Sequence, residues 1–157
     1  MRQKMQTQLQ TIIRKAQVSD IQSLVNFNQL MAKETEDKQL DSDVLTLGVS
    51  NLINDASKGF YLVAEIEGQV VGSLMVTTEW SDWRNSEFWW IQSVYIVPQY
   101  RRKGLYSALY NQVKSFGEKA GNVCGYRLYV ERENRVAQRT YEALAMGESH
   151  YLMFEGK

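Results

Sequence analysis

The residue types best suited to chemistry lie in one short run. In SVYIVPQYRRKGLYSALY, residues 93–110, an apolar strand pattern stops at Pro98, passes Arg101–Arg102–Lys103–Gly104 and opens a helical pattern. A strand that turns into a helix in this way makes an anion site. The first N–H groups of the helix lack intrahelical acceptors, and its dipole places partial positive charge there. Gly104 removes a Cβ from the approach, and the three cations add formal charge, the arginines with paired donors suited to phosphate oxygens. A diphosphate would fit; a solvated basic loop is the plainer explanation of the same residues. The run contains neither GxGxxG nor GKS or GKT, so it indicates neither a dinucleotide-binding turn nor a nucleoside-triphosphate loop.

Elements on both sides must hold this loop. Thr11–Ala16 reads as extended, and Ser19 with Gln22 as a capping box that starts a helix carrying Ile21, Leu24, Val25, Leu30 and Met31. Asp41 caps a second helix with Val44, Leu45, Leu47, Leu52 and Ile53. FYLVAEI and VVGSLMVTT are β-branched and aromatic, and Glu67–Gly68 between them makes a hairpin turn. Phe88–Val97 is too apolar to leave one face in water, which places it mid-sheet. Gly104–Ala120 is a helix stopped by Gly121, Tyr126–Glu131 a strand, Asn134–Met146 a helix and Tyr151–Phe154 a final strand. The expected fold is mixed α/β, one sheet covered by helices. Residues 1–10 read as an N-terminal extension and 11–157 as a single domain.

Composition narrows the partners. Eighteen basic and 18 acidic side chains leave zero formal net charge in 157 residues, without the footprint that nonspecific nucleic-acid binding needs. No apolar run approaches the roughly 20 residues that span a bilayer. MRQKMQTQLQ builds no signal-peptide core and Cys124 is the one cysteine, so a cytoplasmic location is expected. With His150 the one histidine, neither a Cys–His nucleophile nor a metal site has an adequate ligand set, and Cys124 is expected in the core.

Arg101–Arg102–Lys103–Gly104–Leu105–Tyr106, after Val94–Tyr95–Ile96–Val97–Pro98, resembles the Arg/Gln-x-x-Gly-x-Gly/Ala motif of the Gcn5-related N-acetyltransferases. A second match is ordered behind it: Asn134 through Met146 is similar to that family's Asn-x-x-Ala-x-x-x-Tyr-x-x-Leu-Gly-Phe/Met helix, with Ala137, Tyr141 and Leu144 in place. Two departures stand out. Tyr106 occupies a position that is usually glycine or alanine, so its ring must point away from a diphosphate or pack on the cofactor. Ala145 replaces a glycine, at a cost if the backbone there needs a positive φ.

The resemblance implies a mainly antiparallel mixed sheet with splayed central strands, and acetyl-CoA as co-substrate. Its pyrophosphate would sit on Arg101, Arg102, Lys103, Gly104, Leu105, Tyr106 and Ser107. Its pantetheine arm would pair with the backbone of Val94, Tyr95 and Ile96, and Asn134, also readable as a helix cap, would bond the arm from the other side. The implied reaction is direct acetyl transfer to a primary amine of a small molecule or peptide, with Tyr141 as proton donor to the departing thiolate. Core packing is the plain alternative for Tyr141.

The positions where some relatives carry a basic glutamate hold Tyr129 and Trp90, which leaves Glu79, then Glu131, as candidate bases. Trp80, Trp83, Phe88, Trp89 and Trp90, interleaved with Asp82 and Glu87, would suit a cationic acceptor. So would Glu34, Glu36, Asp37, Asp41 and Asp43, read as a link between the first two helices. Two rival readings are a non-catalytic CoA-binding or amine-sensing module on the same fold, and a protein-interaction domain using the tryptophan-rich loop. Either monomer or homodimer is compatible with the sequence.

Overall fold

A computed structural model describes residues 10–157. The expected extension therefore lies outside the described residues, apart from Gln10. Eleven segments follow in the order β1 (Thr11–Lys15), a 3-10 turn, α1 (Ile21–Glu36), α2 (Ser42–Ile53), β2 (Phe60–Ile66), β3 (Gln69–Ser81), β4 (Ser86–Ile96), a second 3-10 turn, α3 (Leu105–Ala120), β5 (Val123–Leu128) and α4 (Arg135–Ala143). The five strands form one sheet in chain order, antiparallel except for the parallel pair β4–β5.

Each face of the sheet is sealed by a different helix set. On one, Leu105, Leu109 and Val113 of α3 pack on Leu62, Leu74, Val76, Trp89 and Ile91. On the other, Leu24 and Val25 of α1 and Val49 and Leu52 of α2 pack on Tyr61 and Val63. Burial on both faces explains why β2 is apolar without a break from Phe60 to Ala64.

Local signals account for most boundaries. Asp41 Oδ1 accepts from the Val44 N–H at 3.0 Å, the cap expected for α2. Glu67 and Gly68 both adopt positive φ, 50° and 77°, as a two-residue primed hairpin turn requires. At the start of α1 the pairing differs from the expected Ser19–Gln22 box. Asp20 is buried instead, bonded by the Gln17 N–H at 2.7 Å and by Arg14 at 2.7 and 3.0 Å, and Arg14 also reaches Glu65 at 2.8 Å. Arg14 holds the Asp20 carboxyl below its usual range.

Four expectations are corrected at the C-terminal side. β5 runs Val123–Leu128 rather than Tyr126–Glu131, because pairing with β4 ends at Ile91↔Leu128 and a strand without a partner has nothing to extend it. Glu131 consequently lies in an exposed loop. α4 ends at Ala143: the Ala145 N–H bonds the Glu142 carbonyl and the Met146 N–H the Tyr141 carbonyl, a Schellman stop with Ala145 at φ 63°. The glycine replaced there was one that the backbone geometry favours. Tyr151–Phe154 forms no strand and pairs with nothing among the described residues. Cys124 is half-buried in β5 rather than in the core.

Candidate active site

The site begins with a defect in β4. Ser73 pairs with Tyr95 and Met75 with Gln92, so two steps on β3 oppose three on β4, and Ser93 takes up the extra residue at φ 51°. This β-bulge bends the strand. Upstream of it, Glu87–Ile91 pair on both sides, with β3 and β5. Downstream, the ladder to β5 is absent while the ladder to β3 continues to Ile96. Between β4 residues 92–96 and the chain beyond Leu128 the sheet therefore splits, and a row of backbone donors and acceptors faces the gap. An extended ligand arm can add there as a strand would.

The basic loop lies at the end of β4 that borders the split. Pro98–Tyr100 forms a 3-10 turn, Arg102 and Gly104 take φ 61° and 78°, and α3 starts without a side-chain cap. The first helical bond runs from the Ala108 N–H to the Gly104 carbonyl, which leaves the N–H groups of Leu105, Tyr106 and Ser107 without helical acceptors. No heavy atom lies within 4 Å of where a Gly104 Cβ would sit. Open space, free donors and a helix dipole fit a diphosphate. Arg102 and Lys103 make no ion pair among the described residues.

Arg101 is engaged differently from its neighbours. Its Nε donates to the Ile96 carbonyl at 2.8 Å and its Nη2 to both Glu34 oxygens at 2.9 and 3.1 Å, while the Tyr95 hydroxyl donates to Glu34 at 3.3 Å. Glu34 belongs to the last turn of α1, as does Glu36, so these two acids are not part of the link between the helices. A residue read as acceptor-binding and one read as cofactor-binding thus tie α1 to the loop.

On the face carrying α3, Tyr106 turns inward, its ring 5.5 Å from Tyr141 and 6.2 Å from Tyr110. Its hydroxyl is fully buried and has no hydrogen-bond partner. Burial raises the Tyr106 and Tyr141 hydroxyls above the ordinary tyrosine value, so both hold their protons at neutral pH. Asn134 caps α4, accepting from the Ala137 N–H at 3.1 Å.

On the opposite face, Glu79 accepts from the Trp90 indole N–H at 2.7 Å and from Arg127 at 3.2 and 3.3 Å. The Arg127 guanidinium lies 3.5 Å from the Phe88 ring centroid, and the Trp90 and Tyr129 rings meet at 4.6 Å with a 34° tilt. Glu79, read as a candidate base, and Trp90, read as an acceptor-site aromatic, come together near the split; Arg127 and the Trp90–Tyr129 pair were missed. Only the strand pairing, which sets Trp90 opposite Arg127, reveals them. Trp80, by contrast, pairs with Glu87, and Trp83, 90% exposed, tops the β3–β4 turn. Seven strand steps separate that pairing from Val94, about 23 Å at strand rise. The aromatic cluster is divided between two ends of the sheet, and Trp89 packs in the core.

A split sheet with uncapped helix N–H groups at its mouth is a geometry that an extended, diphosphate-bearing ligand fits. The sequence model described as Acetyltransferase (GNAT) family matches residues 22–146. A solved structure described as "a possible acetyltransferase from Clostridium difficile 630" is 49% identical, with TM-score 0.88, covering 96% of this chain and 98% of that one. The aminoglycoside N-acetyltransferase AAC(6')-Iy in complex with CoA shares the fold at 15% identity and TM-score 0.80, covering 97% of each chain. The same enzyme with a bisubstrate analogue, CoA-S-monomethyl-acetylneamine, superposes with TM-score 0.78 at 16% identity, covering 94% and 98%. No protein of curated function matches the sequence. The chain belongs to the GNAT acetyltransferase family, and it is an N-acetyltransferase. No helix among the described residues is long and apolar enough to cross a membrane, and none of their His, Cys, Asp and Glu side chains group into a metal site.

Proposed function

We propose that the protein transfers acetyl from acetyl-CoA directly to a primary amine of a small molecule. The observation that carries this reading is the split after Ile91↔Leu128, which places unpaired β4 backbone beside the free N–H groups of α3. The bound acetyl-CoA supplies the activated thioester. Leu105, Tyr106 and Ser107 donate backbone N–H groups to its diphosphate, with Arg102 and Lys103 adding charge. Val94 and Ile96 hold the arm by backbone pairing, and Asn134 faces the arm from the start of α4.

The two sheet faces divide the remaining work. Tyr141, on the α3 side, keeps a proton on its hydroxyl and gives it to the departing thiolate. The acceptor enters from the α1–α2 side, against Trp90, Tyr129 and Glu79. Glu79 is already bonded by Arg127 and Trp90, which suits it to orienting the amine rather than stripping its proton. The acceptor then arrives neutral or loses its proton through water. A flat or apolar body beside the amine matches the exposed Tyr129 ring and its Trp90 partner.

A screen of amines for release of free CoA tests the reading. Turnover is expected with small amines carrying an apolar body, and acetyl-CoA is expected to raise the unfolding temperature through ligand linkage. Thermal protection without turnover on any amine would favour the binding-module alternative. Turnover confined to peptide amines would move the acceptor class.

A further inference from the structure

The face proposed to admit the acceptor carries a charge pair that a simple amine does not need. Arg127 pairs with Trp90 one step before the β4–β5 ladder ends, and its guanidinium reaches across to Glu79 on β3. A pocket built for a cation alone keeps its carboxylate unopposed. Here guanidinium and carboxylate cancel, so a bare ammonium group would meet one attractive and one repulsive charge side by side. Such a pair calls for a ligand that carries both signs.

Arg127 is held in place without being used up. Its guanidinium lies 3.5 Å from the Phe88 ring centroid, and the Phe88 ring takes the space where a Cβ on Gly125 would stand, 2.8 Å from it. Only Nη1 is bonded, shared between the two Glu79 oxygens at 3.2 and 3.3 Å, while Nε and Nη2 donate to nothing among the described residues. A full arginine–carboxylate fork uses two nitrogens at about 2.7–2.9 Å. The Nε–Nη2 edge, on a side chain 32% exposed, is an unfilled fork. Glu79 is steadied from its other side by the Trp90 indole N–H at 2.7 Å.

We infer that the acceptor is an α-amino acid, with its amine on Glu79, its carboxylate on the Nε–Nη2 edge of Arg127 and an apolar or aromatic side chain against Tyr129. The inference rests on the small-amine acetylation proposed above and narrows it. Glu79 and Arg127 touch, so the ligand groups that meet them must be close together. An amine and a carboxylate on one carbon satisfy that; charges several bonds apart do not. The amine sheds one proton to water before attack, the C–N bond forms and the thioester C–S bond breaks. Tyr141 protonates the sulfur and regains a proton, through water, from the new amide nitrogen. Free CoA and an N-acetyl amino acid remain. The product has lost its positive charge, so Glu79 no longer holds it, which favours release.

Matched acceptors that differ only in the carboxylate test this on the wild-type protein: free phenylalanine, its amide and phenethylamine, then free leucine, its amide and 3-methylbutylamine. Rates of CoA release are compared per neutral amine. The free acids are expected to exceed their partners about 10–100-fold in kcat/KM, the range for one hydrogen-bonded charge pair. In Arg127→Gln that ratio should fall toward one, chiefly through a higher KM for the acids, and Arg127→Lys should lie between. Partners lacking the carboxylate that turn over as fast as the acids would overturn the inference and leave small-amine acetylation standing. An Arg127→Gln variant that slows acids and amines by the same factor would also overturn it. Absence of CoA release with every amine, acid or not, would overturn the inference and the underlying reading together.

Discussion

The two halves of β4 share one backbone and have opposite duties. Glu87–Ile91 is paired on both sides, with Phe88, Trp89 and Ile91 buried. Residues 92–96 are paired with β3 alone and border the split. The change comes at the bulge, where Ser93 lies two residues past the last position paired on both sides. The first half shows how the sheet stays rigid next to the site. The second shows that a binding surface can be made by withholding a partner rather than by adding side chains.

The largest expected effect lies at the open half. Tyr141→Phe should lower kcat by about 10²–10⁴-fold, the range for loss of a general acid, with little change in acetyl-CoA affinity. In the wild type, burial raises the Tyr141 hydroxyl, and the proposed acid role requires its protonated form. Turnover should therefore fall only as pH rises above the ordinary tyrosine value, about 10, and the phenylalanine variant should lack that limb. Full turnover in Tyr141→Phe, where chemistry limits the rate, would remove the assignment.

Two glycines separate the halves by substitution. A Cβ on Gly72 would meet Ile96 Cδ1 at 2.7 Å and the Tyr95 carbonyl oxygen at 3.2 Å, whereas one on Gly125 would meet the Phe88 ring at 2.8 Å. Both alanine variants should lose about 1–3 kcal/mol of stability by overpacking, read from denaturant midpoints. Gly72→Ala should also weaken acetyl-CoA binding, since it displaces the half that borders the gap; Gly125→Ala should not. Equal effects on affinity would erase the distinction between the halves.

Smaller effects follow at the boundary. Ser93→Gly removes a left-handed strain worth about 1 kcal/mol while adding unfolded-state freedom, so the melting temperature should change little and the bulge should persist. Glu34→Gln breaks an ion pair whose side chains are 41% and 42% exposed, and should cost no more than about 1 kcal/mol. If acetyl-CoA affinity survives that change at several salt concentrations, Arg101 serves as a strut, and Arg102 and Lys103 carry the phosphate's charge requirement.

What could be read in advance followed from how local each requirement is. Pro98, the cations and Gly104 constrain a few successive backbone groups, so the loop was visible in the sequence, as were the caps at Asp41 and Asn134. The bulge was not, because serine at positive φ leaves no mark in composition. Nor were Glu34–Arg101 and Glu79–Arg127, pairs 67 and 48 residues apart that only the fold brings together. Glu34 and Glu36 looked like a linker because their acidity hid the last turn of a helix. Tyr151–Phe154 has a strand's chemistry, but pattern alone does not provide a neighbour.

The split also bears on selectivity. In the proposed function, amide groups along residues 92–96 present the same donors and acceptors to any extended chain and so read shape and direction rather than identity. Discrimination among acyl carriers must then come from the charged tail of the carrier. A pantetheine thioester stripped of its nucleotide would find the berth open and nothing to moor it.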